Sequence, residues 1–310
     1  MRHGIIILVL CTFIIAVSET VFAAGEVSET GTVGMSFLRV VPSASIAAIG
    51  SGASARFTGP STVWSNPALI TQEDSRSVQF SHVEWVQGIK QEFASFVTAS
   101  HIGHFGISFR VFDSGDIELR GPTPSAEPDD YYSITNASFS LSYAREIIHG
   151  ISAGVTVKKL FEKVSMETAG GYGFDVGITA RTPLEGLTLA CAARNYGTMG
   201  KLKNDRSKLP SDVSFGAAYR GILPMKDYPF ILVGDILLPK YGDSGVRLGL
   251  ELEPVERFFL RTGYRSDSDI EDVSFGIGLN FQMFSFDIAF TPMHEGFDNA
   301  LRFTLGLTGF

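Results

Sequence analysis

The last third of the chain alternates apolar and polar residues one by one. Val273, Phe275, Ile277, Leu279 and Phe281 alternate with Ser274, Gly276, Gly278 and Asn280. Phe284, Phe286, Ile288 and Phe290 alternate with Ser285, Asp287, Ala289 and Thr291. Leu301, Phe303, Leu305 and Leu307 alternate with Arg302, Thr304, Gly306 and Thr308, and the sequence closes on Phe310. A period of two is the mark of strands with one apolar and one polar face. The middle of the chain repeats it: Ala137, Phe139, Leu141 and Tyr143 oppose Ser138, Ser140 and Ser142, and Tyr172, Phe174, Val176 and Ile178 oppose Gly173, Asp175, Gly177 and Thr179.

Turn residues divide residues 76–310 into about fourteen such segments. They are 78–86, 91–101, 103–112, 133–145, 150–158, 172–181, 186–194, 212–220, 228–238, 245–253, 257–265, 271–281, 283–291 and 300–309. Most have the 9–11 residues that cross a bilayer when tilted. The odd connections, 87–90, 113–132, 159–171, 195–211, 239–244, 266–270 and 292–299, are generally the longer ones. The even ones are mostly short. Outer-membrane barrels show this asymmetry, with long external loops and short periplasmic turns. A soluble sandwich has no reason to.

Charges of both signs keep to the polar phase: Arg110, Asp175, Arg181, Arg220, Arg247, Glu251, Arg261, Asp287 and Arg302. A lipid-facing Arg or Lys at the bilayer midplane costs roughly 2–4 kcal/mol. The polar phase therefore points inward, and these nine residues are expected to be lumen charges. The fold class predicted is all-β: a transmembrane antiparallel β-barrel of about fourteen strands.

The front of the chain reads differently. Arg2 and His3 precede the apolar run Ile5 to Val17, and Val21-Phe22-Ala23-Ala24 offers small residues to a peptidase. Residues 1–24 are expected to be a cleaved secretory signal peptide, too short in its apolar part to span a bilayer. Leu8-Val9-Leu10-Cys11 only faintly resembles a lipoprotein box, because Leu10 suits it poorly and little apolar chain precedes it. Residues 25–75 do not alternate. Ala44 to Ile49 suggests a helical turn ended by Gly50-Ser51-Gly52, and Thr58 to Pro67 is rich in turn residues. This stretch is expected to be a small plug set before the barrel of 76–310.

Composition narrows the function. With 33 acidic against 25 basic residues and a net charge of −8, nothing favours nucleic acid as a partner. Beyond the signal peptide Cys191 is the one cysteine, so no internal disulfide forms. His101 and His104 flank a tight turn without the further ligands that zinc needs. Asp267, Asp269, Glu271 and Asp272 superficially suggest a calcium loop, but Asp272 stands where the loop needs Gly and Gly278 where it needs Glu. Glu127, Asp129 and Asp130 read as another acidic loop. Gly170-Gly171-Tyr172-Gly173 leads into a strand, not a helix, so it cradles no phosphate. No nucleophile elbow or triad stands out. The expectation is a non-catalytic protein without metal or cofactor.

The plug region carries a resemblance. Gly31-Thr32-Val33-Gly34-Met35-Ser36-Phe37-Leu38, Ala44-Ser45-Ile46-Ala47-Ala48-Ile49-Gly50 and Val63-Trp64-Ser65-Asn66-Pro67-Ala68-Leu69 resemble the start of the PorV/PorQ family, within the larger group of FadL-like outer-membrane proteins. The family often has Gly where this chain has Leu69, and its Gly-rich stretch is thinner here. The resemblance implies a fourteen-stranded barrel in the bacterial outer membrane, with Trp64, Asn66, Pro67 and Ala68 in the plug. It implies outer-membrane lipid and the barrel-assembly machinery as partners, and a role supporting protein secretion, with secretion-system components or cargo bound. The alternative is a FadL-like passive carrier of hydrophobic compounds, for which an apolar path or a lateral opening would speak. Phe310 is the expected assembly signal, although its parity breaks with Leu307, Leu305 and Phe303 unless a bulge at Gly309 restores it.

Overall fold

The computed structural model describes residues 33–121, 126–203, 205–223 and 226–310. The signal peptide expected at 1–24 and the stretch 25–32 lie outside them.

Fourteen strands form the wall. They are β1 (Arg76–Glu84), β2 (Lys90–Ser100), β3 (Gly103–Asp113), β4 (Ile134–Ile148), β5 (Ile151–Val164), β6 (Glu167–Arg181) and β7 (Leu187–Met199), then β8 (Asp212–Leu223), β9 (Tyr228–Pro239), β10 (Gly245–Val255), β11 (Phe258–Arg265), β12 (Val273–Phe281), β13 (Phe284–Thr291) and β14 (Ala300–Thr308). Each pairs antiparallel with the next in sequence, and β1 pairs with β14 to close the barrel. Closure is what lipid demands, because every strand's backbone groups must find partners within the sheet. Among the described residues no helix is long and apolar enough to cross a membrane.

The alternation resolves into two faces. On β12, Phe275, Ile277 and Leu279 lie on the outside, while Ser274 and Gly278 are buried. On β4 and β6, Phe139, Leu141, Phe174 and Val176 are outside, while Ser138, Ser140 and Asp175 are buried. A band of aromatic and aliphatic side chains thus covers the wall, as an acyl-chain environment requires.

The strands run longer than the alternation suggests. The connection expected over 159–171 is a correction: β5 and β6 continue through it and turn at Ser165-Met166, with Ser165 at φ +53°. Here Leu160 and Glu162 point in while Phe161 and Lys163 point out, so each face mixes charge with apolar surface. The pleat persists above the membrane, but the two-letter pattern does not. The connections at 114–133 and 200–211 hold small hairpins, Ile117–Leu119 with Asp130–Tyr132 and Lys201–Leu202 with Asp205–Arg206. Otherwise long and short connections alternate between the two ends, and by this rule the short-turn end is periplasmic.

Residues 33–75 occupy the interior. A 3-10 turn at Ser36–Arg39 leads to α1 (Ala44–Ala47), then α2 (Thr62–Ser65) and a 3-10 helix at Pro67–Gln72. The helical turns from Thr62 to Gln72 are absent from the sequence reading, which saw only turns there. Asn66 starts the last helix by accepting a hydrogen bond from Ala68 N–H, and Pro67 fits the first helical position because it has no N–H to satisfy.

Candidate transport path

The plug seats on glycines. On β5 and β6, Gly154 and Gly177 stand opposite each other on the inner face, where the Asn66-Pro67-Ala68 backbone passes. A Cβ at Gly177 would overlap Asn66 Oδ1, and one at Gly154 would lie 2.6 Å from Ala68 N. Across the barrel, Gly249, Gly263 and Gly276 on β10, β11 and β12 face the turn from Ala48 to Gly50. Sequence reading placed Gly177 and Gly276 in the polar phase. It could not tell a seat for the plug from any other small lumen residue.

Trp64, Asn66, Pro67 and Ala68 are brought together at this seat. Asn66 is fully buried, and its amide donates to Ser54 O at 2.9 Å and to Ile178 O of β6 at 3.4 Å. Trp64 Nε1 donates to Leu38 O at 3.0 Å, and its ring lies 5.1 Å from the Arg194 guanidinium carbon of β7. One end of Trp64 ties two plug segments together and its face meets the wall.

Seven of the nine predicted lumen charges have side chains enclosed in the barrel. Arg110 donates to Phe37 O at 2.9 Å and lies over the Phe37 and Phe93 rings. Asp175 takes Lys158 at 2.7 Å. Glu251 bridges Arg56 of the plug, at 2.7 Å, and Arg261, which also reaches Asp287. Arg247 meets Asp267 at 2.6 Å, and Arg302 donates to Val41 O and Thr291. Arg181 and Arg220 keep the inward phase but sit exposed near the short-turn end of the barrel. The sequence reading missed Lys158, Arg194, Asp212 and Asp235. Lys158 shares parity with buried Ser152 and Thr156, which was the available signal.

Three of the four acidic-loop carboxylates are paired with cationic side chains. Asp267 takes Arg247 and Arg265, Glu271 takes Arg265, and Asp272 takes His294. Burial disfavours the Asp267 anion, yet hydrogen bonds from Arg247 and Arg265 hold its carboxyl well below the usual carboxylate range. His101 is exposed at its turn and His104 is half-buried on β3, and among the described residues no three His, Cys, Asp or Glu side chains gather as a metal site would need. Phe310 follows Gly309, whose φ of +81° takes the chain out of the strand, and Phe310 is 53% exposed.

Two cavities between plug and wall hold only about 10 Å³ each, room for at most one water. The larger recess is on the outside. It holds about 470 Å³ and is ringed by outward Phe80, Phe109, Phe286, Ile288 and Phe303 around small Ala94. The strands beneath it stay paired, Ser81 with Phe93 and Thr304, and Phe80 with Ala94 and Leu305, so the recess is a hollow between outward side chains. The His82–Glu92 pair, at 2.6 Å, marks its upper edge.

Several solved barrels share this fold. The toluene transporter TodX of Pseudomonas putida aligns over 85% of this chain and 96% of its own, with 12% identity and a TM-score of 0.62. The monoaromatic hydrocarbon channel CymD aligns over 87% and 97%, with 12% identity and a TM-score of 0.59. A Pseudomonas aeruginosa FadL homologue aligns over 83% and 95%, with 12% identity and a TM-score of 0.51. The fold is that of the FadL-like outer-membrane barrels. Such a fold implies the outer membrane as its place. The sequence model of an uncharacterised protein family, UPF0164, matches residues 49–176, from the plug into β6. No curated protein matches the chain.

Proposed function

We propose that this protein is a non-catalytic outer-membrane channel that lets small hydrophobic compounds pass. The observation that carries the reading is the apolar recess of about 470 Å³ in the wall over Ala94, open toward the lipid. A polar, plugged lumen is a poor path for an apolar solute, because crossing it means displacing paired charges. The recess gives such a solute an apolar resting place on the lipid side of the wall, from which it leaves sideways. The similar solved barrels support this, being hydrocarbon transporters and channels by name.

Secretion support of the PorV/PorQ kind rests on the Asn66-Pro67-Ala68 stretch, and a seat for the plug accounts for those residues equally well. The channel reading therefore ranks first. The test is permeation of toluene into cells that lack their own hydrocarbon channels. Expression of the protein should raise uptake, and Ala94→Trp, which fills the recess, should cut the gain several-fold while barrel assembly is unchanged. Uptake equal to cells without the protein, together with recovery of secreted cargo on pull-down, would replace this reading with secretion support.

A further inference from the structure

The recess over Ala94 has a charged edge. His82 and Glu92 belong to its lining, and both keep the outward parity of Phe80 and Ala94. His82 Nδ1 meets Glu92 at 2.6 Å, and its Nε2 stands 3.6 Å from Glu84, two residues further along β1. Both carboxylates are more than half exposed. Two carboxylates thus share a single imidazole. One row nearer the loops, Lys90 stands opposite Glu84 on one side and Asp113 on the other, so an anion already matches that cation. Excess negative charge therefore lies beside an apolar hollow. This edge adjoins the connection between β1 and β2, at the long-loop end, where a solute from outside arrives.

We infer that the recess prefers small amphiphiles with a single ammonium head. The hydrocarbon body fills the hollow, and the head rests on Glu92 and Glu84. A volume of about 470 Å³ suits such a body, since small-molecule sites run from about 300 to 1,000 Å³. An ammonium brings three N–H donors, and the carboxylates keep lone pairs that His82 does not use. The same carboxylates repel an anionic head, and a neutral head gains an ordinary hydrogen bond at most. The Phe303 ring, in register with His82, adds an aromatic face that attracts a cation. His82 holds Glu92 at the edge and is a positioning residue. That the recess is a site at all rests on the channel reading; the carboxylates add which solutes it prefers.

The test is equilibrium dialysis of phenethylamine, phenethyl alcohol and phenylpropanoate at neutral pH and low salt. Each is dialysed against the full chain in nanodiscs of zwitterionic lipid, with binding to empty nanodiscs subtracted. The amine should bind most tightly and the acid most weakly. Glu92→Gln should weaken the amine about five-fold, the upper range for a solvent-exposed ion pair, and leave the alcohol unchanged. Glu92→Asp should recover part of the loss, and added salt should weaken the amine and not the alcohol. Ala94→Trp, which fills the hollow, should weaken amine and alcohol alike. Heat-modifiable migration on gels confirms that each variant is an assembled barrel. Equal affinity for amine and alcohol overturns the inference. So does amine binding that Glu92→Gln or Ala94→Trp leaves at the wild-type level. A Glu92-dependent preference for the amine without toluene uptake would sink the channel reading alone, and toluene uptake without that preference would sink this inference alone.

Discussion

The seat of the plug can be tested through one atom pair. Asn66 Oδ1 occupies the space that a Cβ at Gly177 would need. Gly177→Ala must therefore expel the Asn66 amide, and Asn66→Ala removes the same amide directly. Either change strands Ser54 O and Ala68 N, which Asn66 meets at 2.9 Å each inside the barrel. Leaving a buried group unpaired costs about 1–3 kcal/mol, so two groups put the loss near 3 kcal/mol when water relieves part of it. At 1.4 kcal/mol per factor of ten, the plug should open about a hundred times more often. Hydrogen exchange of the full chain in detergent reads this as faster exchange over residues 54–72, while β5 and β6 stay protected. The double variant decides the mechanism. Once Asn66→Ala has removed Oδ1, the nearest remaining neighbour of the new Cβ is Pro67 Cδ at 3.1 Å, which a small shift relieves. Asn66→Ala/Gly177→Ala should then exchange like Asn66→Ala alone, a strongly non-additive cycle. Additive losses, or a Gly177→Ala plug as protected as the wild type, would refute the account of the seat.

Two further predictions concern the ends of the barrel. Asp267 is paired with Arg247 and Arg265, so its folded carboxyl titrates below its unfolded value. The resulting stability is complete above the ordinary aspartate range, near pH 4, and fades only as pH falls through the lower folded value. The melting temperature should thus keep this contribution from pH 7 down to about 4, whereas Asp267→Asn should lower it already at pH 7. A variant that melts with the wild type at pH 7 would show the pairs to be idle. Deleting Phe310 should reduce heat-modifiable barrel and increase periplasmic degradation, and unchanged assembly would exclude it as the assembly signal.

The wall was largely legible in the chain because lipid punishes error. Each outward charge is expensive at midplane, so Phe275, Ile277 and their counterparts had to keep one parity. Outside the membrane that pressure ends. Lys159, Phe161 and Lys163 share the outer face of β5, and a strand with such a face reads as a loop. The plug was hidden for another reason. Its helical turns have four to six residues and no amphipathic stripe, since from Ala44 to Ala47 and from Thr62 to Ile70 every residue is buried. The mouth arginines, Arg181 and Arg220, followed the inward parity correctly, but parity gives the face of a strand and not the depth along it.

The distribution of charge also bears on how a plug wedged this tightly could yield. The buried pairs Lys158–Asp175, Arg194–Asp212, Arg261–Glu251 and Arg261–Asp287 all run from wall strand to wall strand. Plug and wall meet mainly through backbone groups: Ala44 N–H donates to Thr304, Gly50 N–H to Ser274, Ser54 N–H to Asp235, and Val41 O accepts from Arg302. Arg56–Glu251 is an ion pair that does join them, and Glu251 keeps Arg261 if Arg56 leaves. Separating a buried pair costs several kcal/mol, whereas a hydrogen bond exchanged for one to water costs about 1 kcal/mol or less. A shift of residues 44–57 therefore gives up hydrogen bonds that water can replace, the one from Ser54 N–H to Asp235 among them, and leaves those four wall pairs in place. The barrel can keep its shape while its plug moves.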